Sequence, residues 1–263
     1  MPTQSKAERI LQPTREAMTH LRSNLLANAL DLWNLEHEPN NFELFVSRDQ
    51  DRITGHVSKF HAPEASYVAM ASTNPQGVGA LLDLMPRKCV LIIGPGLYDS
   101  IKDNIPSHVV YPNDIMVVTK GNETITNPEL AVRLSVGDAS EYLRFGTSFS
   151  VPQVPMEWAQ ERLAKDIVFG VFSDDSLASV ASVAARLPEM AVIMGVETLQ
   201  EFRGRGLATA VCSAATREAL KSSESCELFV RSDNSAAIRV YEKLGYRKVG
   251  EELWIDIGTG LAP

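Results

Sequence analysis

Arg203-Gly204-Arg205-Gly206-Leu207-Ala208 stands between an apolar, strand-like run at residues 191–199 and a helix-like run at residues 207–220. Two glycines at a strand-to-helix turn let the backbone fold tightly and leave its N–H groups uncovered. Those donors, with the positive end of the helix dipole, suit phosphate oxygens. A Gly-x-Gly before a helix also serves as a plain turn, so the stretch needs support from elsewhere in the chain. That support follows downstream, as a strand-like Glu227-Leu228-Phe229-Val230 and then Asn234-Ser235-Ala236-Ala237-Ile238-Arg239-Val240-Tyr241-Glu242-Lys243-Leu244-Gly245-Tyr246. Asn234 and Gly245 read as the two caps of a helix whose Ala237, Val240, Tyr241 and Leu244 share one face.

Working outward, residues 131–134 read as a strand, and 137–145 and 155–163 as helices. Residues 167–172 form a continuous apolar strand, Ser173-Asp174-Asp175-Ser176 a hairpin turn, and 177–184 and 190–199 the next two strands. Residues 253–257 supply a final strand. The order β-α-α-β-β-β-α-β-α-β predicts an α/β fold: a mixed, mostly antiparallel sheet flanked by helices. The polar stretch Gly121-Asn122-Glu123-Thr124-Ile125-Thr126-Asn127-Pro128 carries the breakers of a linker. It divides the chain into an N-terminal α/β domain, residues 1–125, and a second domain, residues 126–263. In the first domain, helical spacing runs over 14–33, β-like runs over 42–46, 53–60 and 67–71, and a helix over 75–84 with Asn74 as its cap. A strand at 89–93 precedes Gly94-Pro95-Gly96, read as a turn because Pro95 removes a donor, and 114–119 closes the domain. The sequence shows no internal repeat.

Composition limits the function classes. The 44% hydrophobic and 22% charged fractions are those of a core-forming chain rather than a disordered one. A formal charge of −8 and a pI near 5.2 argue against a broad basic face, so no nucleic-acid partner is expected. No apolar run is long enough to span a membrane, and residues 1–22 have no signal-peptide core, so no membrane partner is expected either. Cys89, Cys212 and Cys226 are odd in number and widely spaced, which reads as buried reduced thiols in a cytoplasmic protein. His20, His37, His56, His61 and His108 all precede the linker without metal-ligand spacing, so no metal is expected; His56 and His61 read as structural or exposed.

At the two motifs the chain resembles the GNAT superfamily of N-acetyltransferases. That family's glycine turn, Gln/Arg-x-x-Gly-x-Gly/Ala, stands here as 203–208, and its Asn-x-x-Ala-x-x-x-Tyr-x-x-x-Gly-Phe/Tyr as Asn234, Ala237, Tyr241, Gly245 and Tyr246. The resemblance covers residues 131–257. It implies a second domain that binds acetyl-CoA, with coenzyme A as product, and transfers the acetyl group to a primary amine. The first domain loosely resembles the N-terminal halves of the glycine-N-acyltransferase-like branch, which implies a degenerate acyltransferase-like half. The N–H groups of Gly204, Arg205, Gly206, Leu207, Ala208 and Thr209 would hold the pyrophosphate, with charge added by Arg203 and Arg205. Lys243 would reach toward the nucleotide end, and Asn234 and Tyr241 complete the implied cofactor contacts. In the family the strand before the turn bulges from its neighbour and the pantetheine arm slots into the gap. Carried over, backbone at Glu197 and Thr198 would meet the arm and the thioester oxygen.

The resemblance makes Tyr241 the donor to the departing thiolate. A phenol titrates near ~10 and a thiol near ~8.5, so full proton transfer is uphill by roughly 2 kcal/mol unless the phenol pKa falls. Glu197 is the candidate base, with a relay through water as the alternative; Glu189, at the start of the same strand, is the second carboxylate considered. Met190 stands where some family members place a glutamate, which leaves the base open. A regulatory module that binds acyl-CoA without turnover, and a transferase for a longer acyl group, remain alternatives. The acceptor, a small-molecule or peptide amine, is set by loops such as 147–158, whose Pro152, Pro155, Met156 and Trp158 are not diagnostic. The oligomeric state is left open, a homodimer included.

Overall fold

The computed structural model describes residues 7–73, 75–149 and 154–260, the side chains of residues 75–77 apart. Asn74 and Pro152 lie outside the described residues. The chain divides into two compact units, residues 1–113 with 251–263, and residues 114–250.

The first unit opens with β1 (Glu8–Ile10), α1 (Arg15–Arg22) and α2 (Leu25–His37). One helix was expected over 14–33. Instead Thr14 caps α1 by accepting from the Ala17 N–H at 3.2 Å, and the chain breaks at Ser23 and Asn24 before α2. Then follow β2 (Phe42–Asp49), β3 (Arg52–His61), β4 (Ser66–Ser72), α3 (Pro75–Leu82), β5 (Cys89–Ile93) and α4 (Pro95–Ile101). The Gly94-Pro95-Gly96 turn is therefore corrected to a helix start. Proline is tolerated at the first helical position, where its missing N–H has no partner anyway, and Gly94 is the N-cap. The strands pair antiparallel from β1 to β4, and β4 pairs parallel with β5.

Next, β6 (Val109–Thr119) carries the chain into the second unit, which continues with β7 (Val132–Arg133), α5 (Ala139–Thr147), α6 (Met156–Lys165), β8 (Ile167–Ser173) and β9 (Ser176–Arg186). The expected hairpin joins β8 to β9, with Asp174 at φ 51° and Asp175 at φ 63°, the two left-handed residues that such a turn needs. The unit continues through β10 (Ala191–Thr198), α7 (Leu207–Ala219), β11 (Ser225–Arg231) and α8 (Ser235–Lys243), and β12 (Arg247–Ile257) is the last regular element among the described residues. Its strand order is β6-β11-β10-β9-β8-β7, with β10 and β11 parallel and the pairings from β7 to β10 antiparallel. The mixed, mostly antiparallel sheet with flanking helices is as expected.

The linker at 121–128 is not a boundary. The Lys120 N–H donates to the Glu224 carbonyl at 2.9 Å, Thr124 N–H to Leu244 at 2.9 Å, and Thr126 N–H to Ser213 Oγ at 2.7 Å. Polar turn residues here satisfy backbone groups of the second unit rather than releasing the chain into solvent. The final strand also differs from expectation. Residues 253–257 of β12 pair antiparallel with β5, so the last stretch of chain completes the first unit's sheet. Both units run strand, two helices, three antiparallel strands, helix, parallel strand, helix. The architecture repeats although the sequence shows no repeat, because pairing and layering need only the apolar pattern and not the residues.

The core of the second unit lies where α7 packs on the sheet. Val211, Ala214 and Ala215 of α7 meet Ile193, Leu228 and Tyr241, all buried. Small residues along α7 allow close approach to the strands. All three cysteines are buried and unpaired, and burial pushes the Cys89 thiol up to about 11 and Cys226 to about 12.

Candidate active site at the end of β10

β10 does not run straight. Its register with β9 slips between Met194 and Glu197, where three residues of β10 advance against two of β9, from Ser182 to Val180. Gly195 sits in this bulge at φ 60°, a conformation side chains resist. On the other side, β10 pairs with β11 only from Ala191/Cys226 to Ile193/Leu228, although both strands continue for several residues. From Met194 onward the two parallel strands part, and the edge of β10 facing β11 is open.

The chain then crosses a short 3₁₀ turn, Gln200–Phe202, into the glycine turn. Gly204 at φ 76° and Gly206 at φ 81° are both left-handed, so glycine is required there by the backbone itself. A Cβ built on either meets no protein atom within 4 Å, so the space above the turn is open. Gly206 caps α7 without any side-chain bond, and Ala210 N–H is the first to close onto it, at 3.1 Å. Among the described residues no backbone acceptor takes the N–H groups of Leu207, Ala208 or Thr209. Three orphan donors therefore converge at the positive end of a 13-residue helix, an arrangement that fits an anionic group such as a pyrophosphate.

Arg203 donates from Nε to the Thr198 carbonyl at 3.2 Å, fastening the end of β10 to the turn. The Arg205 guanidinium lies 5.1 Å from the Phe202 ring centre. Both arginines are exposed and add positive charge beside the open N–H groups. Thr198 and Glu197 are held from β9. Ser179 Oγ donates to the Glu197 carbonyl at 2.8 Å and lies 2.7 Å from Thr198 Oγ1. Sequence reasoning missed Ser179. A serine in the small, alternating run of β9 carries no signal until the register sets it opposite Thr198.

Tyr241, on α8, is only 5% exposed and packs edge-on against Tyr246, with ring centres 6.1 Å apart. Its hydroxyl has no hydrogen-bond partner among the described residues. Its pKa is raised well above that of a free phenol, chiefly by burial, then by the charges of Cys212 and Glu197. The sequence expectation required a lowered phenol pKa for full proton transfer. The opposite shift leaves Tyr241 suited to donating a hydrogen bond without releasing its proton. Glu197 thus adds a small share to that upward shift, after burial and Cys212. The Glu197 side chain is open to solvent yet crowded by protein, and burial raises its pKa while Arg203 pulls it down. Glu189 is separated from them, since it precedes β10 while the glycine turn follows it, about 25 Å along an extended strand of this length. Asn234 caps α8, its Oδ1 accepting from the Ala237 N–H at 3.1 Å, and Lys243 is exposed in the last turn of that helix with no described bond.

The first unit repeats the element order without these features. β3 and β4 stay in register throughout, β4 and β5 remain paired to Met70/Ile93, and none of its described glycines before residue 114 is left-handed.

Residues 168–255, a third of the chain, match the family model described as FR47-like protein. No curated protein matches the sequence. Among solved structures, a Drosophila protein from structural genomics is similar over 98% of this chain and 100% of its own, with 12% identity and a TM-score of 0.71. A Novosphingobium aromaticivorans protein described as a GNAT-family acetyltransferase is 23% identical over 76% of this chain and 86% of its own, TM-score 0.57. A tandem GNAT protein from the clavulanic acid biosynthesis pathway is 14% identical over 98% of this chain and 100% of its own, TM-score 0.57. The chain has the fold of the GNAT superfamily of N-acetyltransferases, and its two-unit organisation is shared with a tandem member.

Proposed function

We propose that the second unit is an N-acetyltransferase that moves the acetyl group of acetyl-CoA to a primary amine by direct attack. One observation carries the reading: the strand that parts from its parallel neighbour ends in an uncovered, left-handed glycine turn that opens α7. The parted edge suits an extended amide-containing arm, and the turn suits its pyrophosphate, held by the N–H groups from Gly204 to Thr209. Bound acetyl-CoA supplies an acetyl group activated as a thioester.

The protein's share of the chemistry is positional and electrostatic. The open edge of β10 at Thr198 offers an N–H donor where negative charge develops on the carbonyl oxygen. The Glu197 carboxylate accepts the proton that the amine loses as its C–N bond forms, and its raised pKa makes it a better base than a solvated carboxylate. The Tyr241 hydroxyl donates a hydrogen bond to the sulfur as the C–S bond breaks, and the sulfur takes its proton from solvent. Arg203, Arg205, Asn234 and Lys243 add charge and polar contact around the cofactor.

The acceptor is a small-molecule or peptide amine. Release of free thiol from acetyl-CoA, followed across a panel of amines, tests the reading. Amine-dependent release supports it. Coenzyme A binding without release from any amine would convert the protein to an acyl-CoA-binding module, and release from longer acyl-CoAs in preference to acetyl-CoA would move it to another acyl group.

A further inference from the structure

We propose that Ser179 is a positioning residue for acyl transfer: its buried hydroxyl locks the Glu197–Thr198 peptide so that the Thr198 N–H faces the open edge of β10. This inference rests on the acyl-transfer reading above and names the device that aims its oxyanion donor.

Ser179 is fully buried at 0% exposure, and its Oγ donates to the Glu197 carbonyl at 2.8 Å. No peptide bond among the described residues is cis, so carbonyl and following N–H point in opposite directions. With the Glu197 carbonyl drawn to β9, the Thr198 N–H points away from it, toward the side that β11 has left. The next peptide agrees. Leu199 N–H donates to the Ala178 carbonyl on the β9 side at 3.0 Å, so the Thr198 carbonyl points to the open side, where Arg203 Nε meets it at 3.2 Å. Thr198 thus turns both backbone groups to the gap. Its carbonyl is taken by Arg203, and its N–H remains as the donor.

A strand this close to its end needs such a lock. Beyond the bulge only Glu197 and Thr198 pair with β9 before β10 stops. The same hydroxyl lies 2.7 Å from Thr198 Oγ1, so one buried group holds both residues. A donor acts on developing charge only if its direction is set beforehand.

The test uses the full chain with acetyl-CoA labelled with carbon-13 at its carbonyl, comparing wild type, Ser179→Ala and Ser179→Thr. The expected wild-type result is a carbonyl stretch of bound acetyl-CoA shifted to lower frequency than in solution. Ser179→Ala loses most of that shift and about tenfold of kcat, while the Kd for coenzyme A stays within about twofold, because the glycine turn is untouched. Ser179→Thr restores the shift. A full carbonyl shift and wild-type kcat in Ser179→Ala would overturn the positioning role and leave the acyl-transfer reading standing. Wild-type protein that fails to bind acetyl-CoA would overturn both.

Discussion

Tyr241 and Tyr246 are buried in one core, but only Tyr246 has described partners for its hydroxyl. Tyr246 Oη lies 2.8 Å from Thr216 Oγ1 and donates to Cys226 Sγ at 3.3 Å. Tyr241 Oη is held by nothing described, and a hydroxyl that no protein group uses is available to a substrate. The two residues should therefore respond oppositely to the same change. Tyr246→Phe should cost about 1–2 kcal/mol of stability with turnover near wild type. Tyr241→Phe should leave the melting curve almost unchanged and lower turnover by about 10²-fold with little change in coenzyme A affinity. Equal turnover for Tyr241→Phe and wild type would remove Tyr241 from the chemistry. Glu197 makes a pH prediction. A raised carboxylate that must be ionised to accept a proton gives an acid limb in kcat/KM, with activity lost as pH falls through its pKa. Glu197→Gln should lower the rate and flatten that limb. An acid limb unchanged in Glu197→Gln would assign the base elsewhere.

Among the elements, the strand-turn-helix around β10 was legible because each part leaves a residue-level mark: an apolar run, paired glycines, and a helical stripe. The bulge was less so. Gly195 inside an apolar strand is its only trace, and the parting of β10 from β11 is a property of two strands far apart in sequence. Ser179 was invisible for the same reason. The C-terminal cap of α8 shows how a motif glycine serves architecture. Gly245 has φ 96°, and a Cβ there would collide with the Asn122 carbonyl, while Leu244 accepts from Thr124 N–H at 2.9 Å. Gly245→Ala meets both left-handed strain and a backbone clash, and should cost about 3 kcal/mol or more. Chemical denaturation measures this directly. A loss under about 1 kcal/mol would mean that the 121–127 segment yields easily.

At the scale of the molecule, the α/β class and the second unit's element order could be read from the chain, whereas its division could not. Polar, breaker-rich residues mark a turn, but whether that turn leaves a unit depends on which backbone groups it satisfies, and residues 120–126 bond within the second unit. The destination of β12 depends on the register it shares with β5, which no local pattern encodes. The first unit also encloses a polar cluster that pattern reading passed over. Asp31 accepts from Ser58 Oγ at 2.7 Å, His56 Nδ1 is 3.0 Å from His20 Nε2, and Glu252 accepts from Trp254 Nε1. Burial raises Asp31 and Glu252 to about 7 each and lowers His56 to about 3. The carboxyls, raised above their unfolded values, contribute stability that is full at low pH and lost as pH rises through about 7. His56, lowered, contributes above about 6.5 and loses its share as pH falls. Burial lowers His20 as well, so below about 6.5 the two histidines oppose the two carboxyls, and removing one carboxyl isolates its share. Asp31→Asn should therefore lose less stability than wild type as pH rises from 5 to 7.5 in matched melting series; parallel curves would contradict it. The central claim remains the cradle at the start of α7, and calorimetric titration of coenzyme A into wild type and Gly206→Val, each checked for folding by its melting curve, tests it most directly. The account predicts saturable binding to wild type and at least a tenfold weaker Kd in the variant. Equal affinity in a folded Gly206→Val protein, or no binding to wild type, would contradict it.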